Sequence, residues 1–143
     1  MTQTEQKDNG IDSLPEGDEK ILVVDDDQTI IYLEKMMLEK LGYQVTCRTD
    51  SLEAFSLFKN DPNGFDLVIT DQAMPDMTGE EFIKKLLILR PEMPIILNSG
   101  YSADFTKERA ARVGVSEYIL KPLDFLQLAH AVRRTLDSAS AGL

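Results

Sequence analysis

The sequence has one cysteine, no long apolar run and few basic residues for its acidic content. Cys47 alone cannot form an internal disulfide bond. No apolar run approaches the roughly 20 residues of a membrane-spanning helix, and the acidic amino end differs from a cleaved signal peptide. We therefore expect a cytoplasmic protein with no membrane partner. The 25 acidic and 15 basic residues leave a net charge of -10 at pH 7, so direct nucleic acid binding is not expected.

The length of 143 residues, 43% of them hydrophobic, is enough for one compact domain and too short for two. Residues 1–19 are polar and have no hydrophobic period, so they are predicted to form a flexible leader. The folded domain is predicted over residues 20–137, and residues 138–143 are predicted to form a short tail.

Short apolar runs alternate with longer amphipathic stretches along the folded domain. Runs of this length are typical of strands in a parallel sheet that helices cover on both faces. The predicted strands are Ile21–Val24, Val45–Cys47, Leu67–Thr70, Ile95–Leu97 and Tyr118–Leu120. Their strict alternation with helices predicts an α/β fold with a doubly wound, five-stranded parallel sheet and five helices.

Helical spacing fills the segments between the strands. In the first helix the apolar residues recur at steps of three and four, at Ile30, Leu33, Met37, Leu38 and Leu41. The other helices are predicted over residues 50–58, 79–90, 102–113 and 125–136. Ser102 should open the fourth helix, and Asp124 should cap the fifth.

Polar side chains follow four of the five predicted strands. Ligands of a doubly wound sheet bind at the carboxyl ends of its strands, so these residues should share one rim. They are Asp25, Asp26, Asp27, Asp71, Asn98, Ser99 and Lys121. Several carboxylates at one rim repel each other unless a cation offsets their charge, and Mg²⁺ takes carboxylate oxygens as ligands. The rim is therefore a predicted magnesium site.

Asp71 is the best candidate nucleophile of this rim. It stands alone at a central strand end, whereas Asp25 and Asp26 are adjacent and better placed to share a metal. A carboxylate can attack phosphorus to give an acyl phosphate, while an ammonium such as that of Lys121 holds a phosphoryl oxygen. A hydroxyl such as that of Ser99 can hydrogen-bond the new phosphoryl group, which makes this residue a candidate switch.

The strand-end motifs resemble a known family over about residues 19–137. The matching segments are Ile21–Asp27, Asp66–Gly79, Pro94–Tyr101 and Tyr118–Pro122. They resemble the receiver domain of two-component response regulators, the CheY-like family. The resemblance implies a flavodoxin-like sheet with strand order 2-1-3-4-5 and a function in phosphorelay signal transduction.

The same resemblance implies a role for each strand-end residue. Asp71 is the phosphoacceptor, Ser99 and Lys121 contact the phosphoryl group, and Ser99 and Tyr118 form the switch. The Mg²⁺ ligands are Asp25, Asp26, Asp71 and the backbone carbonyl of Ala73. The peptide bond between Lys121 and Pro122 is expected to be cis.

The resemblance further implies partners. A histidine kinase or a histidine phosphotransfer protein donates the phosphoryl group, and an output protein or domain receives the signal. A phosphorylation-dependent dimer is a further expectation, and an enzyme activity on other molecules is not expected. Basic residues of the last two helices could attract a partner, namely Lys107, Arg109, Arg112, Arg133 and Arg134. Whether the domain acts alone or as part of a hybrid kinase stays open.

Two other functions compete with this interpretation. Asp25, Asp27 and Thr29 match the Asp-x-Asp-x-Thr signature of haloacid-dehalogenase-like phosphatases, but that reading leaves Asp71 unexplained. Asp27 is equally suited to capping the first helix. A receiver-like module that only binds partners would be indicated by a missing strand-end Asp or Lys, and the sequence has both.

Overall fold

The computed structural model describes residues 14–100 and 105–141. It contains a five-stranded parallel sheet with helices on both faces. The elements are β1 (Lys20–Val24), α1 (Gln28–Lys40), β2 (Gln44–Arg48), α2 (Ser51–Asn60), β3 (Leu67–Asp71), α3 (Gly79–Leu89), β4 (Ile95–Ser99), α4 (Lys107–Val113), β5 (Glu117–Leu120) and α5 (Phe125–Ala141). The strand order is β2-β1-β3-β4-β5, and every neighbouring pair is parallel. The predicted fold class and strand order are confirmed.

The apolar core has two layers, one on each face of the sheet. Ile21 and Val23 of β1 belong to the layer under α1 and α5, whereas Leu22 and Val24 belong to the layer under α2, α3 and α4. This division follows from the alternation of side chains along a strand. Strands β3 and β4 are buried over their full length, which explains their continuous apolar runs.

Side-chain caps set the starts of the helices. Asp27 Oδ1 accepts hydrogen bonds from the backbone N–H groups of Thr29 and Ile30 at the start of α1. Thr78 forms a capping box with Glu81 at the start of α3. The predicted cap of the last helix is confirmed, since Asp124 Oδ1 accepts from the backbone N–H groups of residues 126 and 127.

Two helix boundaries differ from the prediction. Helix α4 begins at Lys107 with Thr106 as its cap, so the prediction of a helix that opens at Ser102 is wrong; Ser102 itself lies outside the described residues. Helix α5 continues past Leu136 to Ala141, so the predicted tail is helical over residues 138–141. Each helix in the described part of the chain falls short of the length or the apolar character that a membrane span requires.

Residues 14–19 pack against the domain. Leu14 is buried in the layer under α1 and α5. The Gly17 N–H donates to the carbonyl of Leu41 at 3.1 Å, and Arg133 Nη1 of α5 donates to the carbonyl of Glu16 at 3.0 Å. The predicted flexible leader therefore extends too far, because Leu14 already belongs to the packed structure; residues 1–13 of that leader lie outside the described part.

Candidate functional site

Three carboxylates meet at the carboxyl ends of two central strands. Asp25 and Asp26 follow β1, and Asp71 is the last residue of β3. One oxygen of each carboxylate lies within 4.8 Å of the others. Asp25 and Asp71 are buried, whereas Asp26 is exposed. The structure thus brings the three predicted carboxylates into one cluster that solvent reaches at Asp26.

The ammonium group of Lys121 lies between the two buried carboxylates. Its Nζ atom is 3.0 Å from Asp71 Oδ1 and 3.3 Å from Asp25 Oδ2. The Lys121 backbone N–H donates to the carbonyl of Ser99 at 2.8 Å, and the bond to Pro122 is cis, as the resemblance implies. Lys121 therefore offsets part of the negative charge that the sheet buries here.

The ionisation of the cluster reflects this balance of burial and charge. Burial raises the pKa of Asp25, and repulsion from Asp71 adds to the effect. Burial likewise raises the pKa of Asp71, while Lys121 opposes the shift. Burial alone would lower the pKa of Lys121, but its hydrogen bonds and charge interactions with Asp71 and Asp25 outweigh it and leave the pKa raised. A further cation at this cluster would favour the ionised carboxylates.

The loop between β3 and α3 folds back onto the backbone of Asp71. The Gly79 N–H donates to the Gln72 carbonyl at 2.9 Å, and the Glu80 N–H donates to Gln72 Oε1 at 2.8 Å. A Cβ atom on Gly79 would collide with the carbonyl oxygen of Asp71, so this close approach requires glycine. Ala73 is an exposed residue of the same loop, and its role as a carbonyl ligand stays a prediction.

The two predicted switch residues lie on neighbouring strands. Ser99 is the last residue of β4, and its buried hydroxyl donates to the carbonyl of Gly100 at 2.9 Å. Tyr118 is a half-buried residue of β5. Its ring centroid lies 6.1 Å from that of Phe105, just before α4. The geometry therefore puts an aromatic contact between β5 and the start of α4, and the switching roles stay predictions.

Comparison with known families decides the identity of the domain. A family model described as the response regulator receiver domain matches residues 21–133. The chain belongs to this family. The predicted family is thereby confirmed, and the domain is a receiver domain of two-component response regulators.

Relatives of this receiver domain include longer proteins. It is 33% identical over 135 residues to the two-component response regulator ARR10 of Arabidopsis thaliana. It is 36% identical over 118 residues to the DNA-binding transcriptional regulator NtrC of Azospirillum brasilense. The matches cover 92% and 82% of this chain but 24% of each relative. The receiver domain thus spans about a quarter of the length of these proteins.

A solved structure supports the same assignment. The CheY-like response regulator receiver domain protein of Methanospirillum hungatei is 31% identical to this receiver domain and superposes with a TM-score of 0.80. The match covers 89% of this chain and 100% of that one. The likeness therefore includes the whole of the compared structure.

In this receiver domain Asp27 is the N-cap residue of α1. Its own N–H donates to Asp25 Oδ1 at 2.9 Å, so it also helps to orient a carboxylate of the cluster. The haloacid-dehalogenase-like alternative is wrong, because the family model matches the receiver domain and Asp27 already has a structural role.

Sequence reasoning placed Asn98 at a strand end but missed its buried partner on the α1 side of the receiver domain. Glu34 of α1 is fully buried, and Asn98 Nδ2 of β4 donates to its Oε2 atom at 3.0 Å. The predicted apolar stripe of α1 included Leu33, which is 36% exposed. The available signal was that Ile31, Glu34 and Leu38 also recur at steps of three and four, which places a carboxylate on the buried face.

The acidic cluster fits a hard divalent cation. Its donors are carboxylate oxygens from Asp25, Asp26 and Asp71, and Mg²⁺ binds through one or two carboxylates together with water and phosphate oxygens. The three carboxylates together carry more negative charge than the single ammonium of Lys121 offsets. The chemistry of the donor set and the charge balance both favour such an ion.

Proposed function

We propose that this receiver domain accepts a phosphoryl group on a carboxylate oxygen of Asp71. The observation that carries the proposal is the position of Lys121, whose ammonium contacts both Asp71 and Asp25 at the edge of a three-carboxylate cluster. A buried nucleophile, a neighbouring ammonium and a set of metal donors are the parts that phosphoryl transfer to a carboxylate needs.

The transfer exchanges one bond to phosphorus for another. An Asp71 oxygen attacks the phosphorus of a phosphohistidine, the phosphorus–nitrogen bond breaks, and its electron pair returns to the imidazole nitrogen of the donor. The product is an acyl phosphate on Asp71. Lys121 moves with the new charge, because a phosphoryl oxygen replaces the carboxylate oxygen that it contacts now. Hydrolysis releases inorganic phosphate and restores the Asp71 carboxylate.

Mg²⁺ is the proposed cofactor, held by Asp25, Asp26 and Asp71 together with the Ala73 carbonyl. When bound, the ion supplies positive charge against the phosphoryl oxygens. The side chains do the rest: Lys121 orients the Asp71 carboxylate, and burial keeps bulk water from most of its surface. The domain acts on its own side chain only, so we class it as a signalling domain that is not an enzyme for other substrates.

The proposed donor is a histidine kinase or a histidine phosphotransfer protein. An exposed apolar patch on α1 supports a protein donor, since Tyr32 is 61% exposed and Met36 is 50% exposed on the helix that follows the acidic cluster. Exposed apolar patches of this kind mark protein interaction sites. We expect the domain to act in the cytoplasm, where such donors present their phosphohistidine.

Output is proposed to pass through the face of α4, β5 and α5 to a downstream protein or domain. Leu120 and Leu126 are half-exposed apolar residues of this face. Its basic character is weaker than the sequence alone predicts, because several of the basic residues are held in ion pairs. Arg109 pairs with Glu80, Arg133 with Glu19 and Asp137, and Arg134 with Glu117. A phosphorylation-dependent dimer through this face stays a prediction.

The test is the intact mass of the protein after incubation with Mg²⁺ and acetyl phosphate. The wild type should gain one phosphate, and Asp71→Asn should gain none. Asp76→Asn is the matched control, because Asp76 is an exposed residue of the same loop whose positive φ of 68° asparagine also tolerates. Equal labelling of the wild type and Asp71→Asn would overturn the assignment of the phosphoacceptor.

The metal requirement is tested with the same assay. Removal of Mg²⁺ with a chelator should abolish the mass gain, and Asp26→Asn should raise the Mg²⁺ concentration that half-maximal labelling needs. Asp26 is the exposed member of the cluster, so this change leaves the buried core intact. Full labelling in the absence of a divalent cation would contradict the proposed cofactor.

A further inference from the structure

Glu34 is a buried acid that has no role in the proposed phosphoryl transfer. It lies on the inner face of α1 and has no exposed surface. Asn98 Nδ2 donates to Glu34 Oε2 at 3.0 Å. The remaining acceptors of the pair, Glu34 Oε1 and Asn98 Oδ1, are both buried and have no hydrogen-bond partner among the described residues. Two unpartnered oxygen acceptors on one hydrogen-bonded pair call for a shared proton, because a buried acceptor without a donor is unfavourable.

The charges around Glu34 disfavour its ionised form. The titratable groups that interact electrostatically with it are Asp25, Asp71, Lys121 and the Cys47 thiol, which lie on or directly after four strands of the sheet. Helix α5 adds apolar side chains to this layer. Lys121, which also contacts Asp71 and Asp25, favours the ionised form of Glu34, but burial and the repulsion from Asp25 outweigh it. Burial, followed by repulsion from Asp25, raises the pKa of Glu34 to about 8.

The pair is connected to the phosphoacceptor site through the backbone of β4. Asn98 lies opposite Asp71 in the parallel register, and its carbonyl accepts from the Gln72 N–H at 3.0 Å. The next residue, Ser99, accepts from the Lys121 N–H at 2.8 Å. A displacement of Asn98 would therefore move the backbone that supports the nucleophile, the hydroxyl and the ammonium together.

We propose that Glu34 is a neutral carboxylic acid whose Oε1–H donates to Asn98 Oδ1, and that this acid–amide pair positions the end of β4 for the phosphoryl reaction. Glu34 is then a positioning residue, since it acts through Asn98 and touches no reacting atom. The neutral state follows from the hydrogen bonding and burial of the pair. The effect on phosphorylation rests in addition on the proposed role of Asp71.

Ionisation of Glu34 would oppose the reaction in two ways. It would break the hydrogen bond to Asn98 Oδ1, and it would add a negative charge on the side of the sheet where Asp25 and Asp71 meet Lys121. A negatively charged phosphoryl donor would be repelled by the same charge. The rate of phosphorylation is therefore expected to fall as the pH rises and Glu34 ionises.

The first test measures the ionisation of Glu34 in the wild-type protein. Carbon NMR of side-chain carboxyl groups in the full chain, with the Glu34 signal assigned by its loss in Glu34→Gln, should show a neutral acid at pH 7 that ionises only in the alkaline range. A signal that ionises near the ordinary value of 4.5 would overturn the neutral pair. This result does not depend on phosphorylation.

The second test separates charge from position. Glu34→Gln keeps both hydrogen bonds to Asn98 without a titrating group, and Glu34→Leu is equally neutral but leaves Asn98 unpartnered. Initial labelling rates with acetyl phosphate and Mg²⁺ are compared by intact mass from about pH 6 to about pH 9. The wild-type rate should fall up to about tenfold relative to Glu34→Gln over this range, as one proton is lost from a group with a pKa of about 8.

The leucine variant should be slower than the glutamine variant at every pH, because it lacks the hydrogen bonds to Asn98. Equal rates for the two variants would overturn the positioning role, and a constant ratio of wild type to Glu34→Gln would overturn the effect of charge. A wild type that takes up no phosphate at any pH would reject the Asp71 assignment, while the NMR titration would still decide the state of the pair.

Discussion

The carboxylate of Glu80 on α3 lies 2.9 Å from the guanidinium of Arg109 on α4. The guanidinium carbon of Arg109 lies in turn 5.6 Å from the centroid of the Phe105 ring, which contacts Tyr118. The Glu80 backbone N–H donates to the side chain of Gln72, the residue after Asp71. These contacts connect the loop of the proposed phosphoacceptor to the first turn of α4.

Glu80→Gln should therefore loosen α4. The loss of a half-buried ion pair of this kind costs about 1 kcal/mol, and α4 buries only Ala110 among its residues. Hydrogen exchange of the amides of residues 107–113 should become faster than in the wild type. Lys84→Ala is the matched control, since it removes the other, more exposed partner of Glu80. The same acceleration in both variants would contradict a specific role of Arg109.

Gly79→Ala should destabilise the domain and disturb the Asp71 loop. The added Cβ collides with the carbonyl oxygen of Asp71, and relief requires a backbone shift that costs about 1 to 3 kcal/mol. Urea unfolding measures the loss. Gly100→Ala is the control, because a Cβ there meets no atom of the described residues within 4 Å. A loss of stability no greater than that of the control would argue against the close approach.

The ion pair between Glu19 and Arg133 should make stability depend on pH. A hydrogen bond from Arg133 lowers the pKa of Glu19 below its ordinary value of 4.5. The pair therefore stabilises the fold above pH 4.5, and its contribution is lost as the pH falls through the lower pKa of the folded state. Glu19→Gln should cost about 1 kcal/mol at pH 7, since both groups are partly exposed.

The comparison for Glu19→Gln is urea unfolding at neutral and at acid pH, with Glu117→Gln as the control. Glu117 pairs with Arg134, which is 57% exposed, so its loss should matter less. A difference between the wild type and Glu19→Gln that stays constant below pH 4.5 would contradict the linkage.

Lys121→Met should slow phosphorylation by at least about tenfold, the order of effect expected when a charge that stabilises a transferring phosphoryl group is removed. Asp71 would also lose the group that opposes the upward shift of its pKa, so less of the ionised nucleophile would be present. Lys107→Met, at an exposed position of α4, controls for the change of net charge. Equal labelling rates in the two variants would remove Lys121 from the reaction.

The sequence predicts the strands, the helices and their order well, because the patterns that indicate them are local. Buried strands of a parallel sheet produce continuous apolar runs, and the order of the elements follows from strict alternation. The strand-end residues Asp25, Asp71 and Lys121 could be placed at one rim by topology alone. Caps such as Asp124 depend on neighbouring residues only, and this prediction is confirmed.

The features that sequence reasoning missed depend on contacts between distant segments. Leu14 is buried in the apolar layer under α1 and α5, a contact that the polar sequence around it does not indicate. Glu34 places a carboxyl group on an apolar stripe, and its partner Asn98 is 64 positions away in the chain. The start of α4 differs from the prediction because both Ser and Thr suit a helix cap, and the sequence has both residue types before α4; in the structure Thr106 is the cap.

The contact between Lys121 and Asp25 joins residues that are 96 positions apart in the chain. No fragment that lacks either β1 or β5 can assemble the charge balance at Asp71, so an incompletely folded chain cannot carry out the proposed phosphoryl transfer. Any ligand that binds the assembled cluster binds the native state alone and shifts the unfolding equilibrium of the whole domain. The thermal midpoint of the entire molecule should thus respond to Mg²⁺, although the ion would touch only one rim.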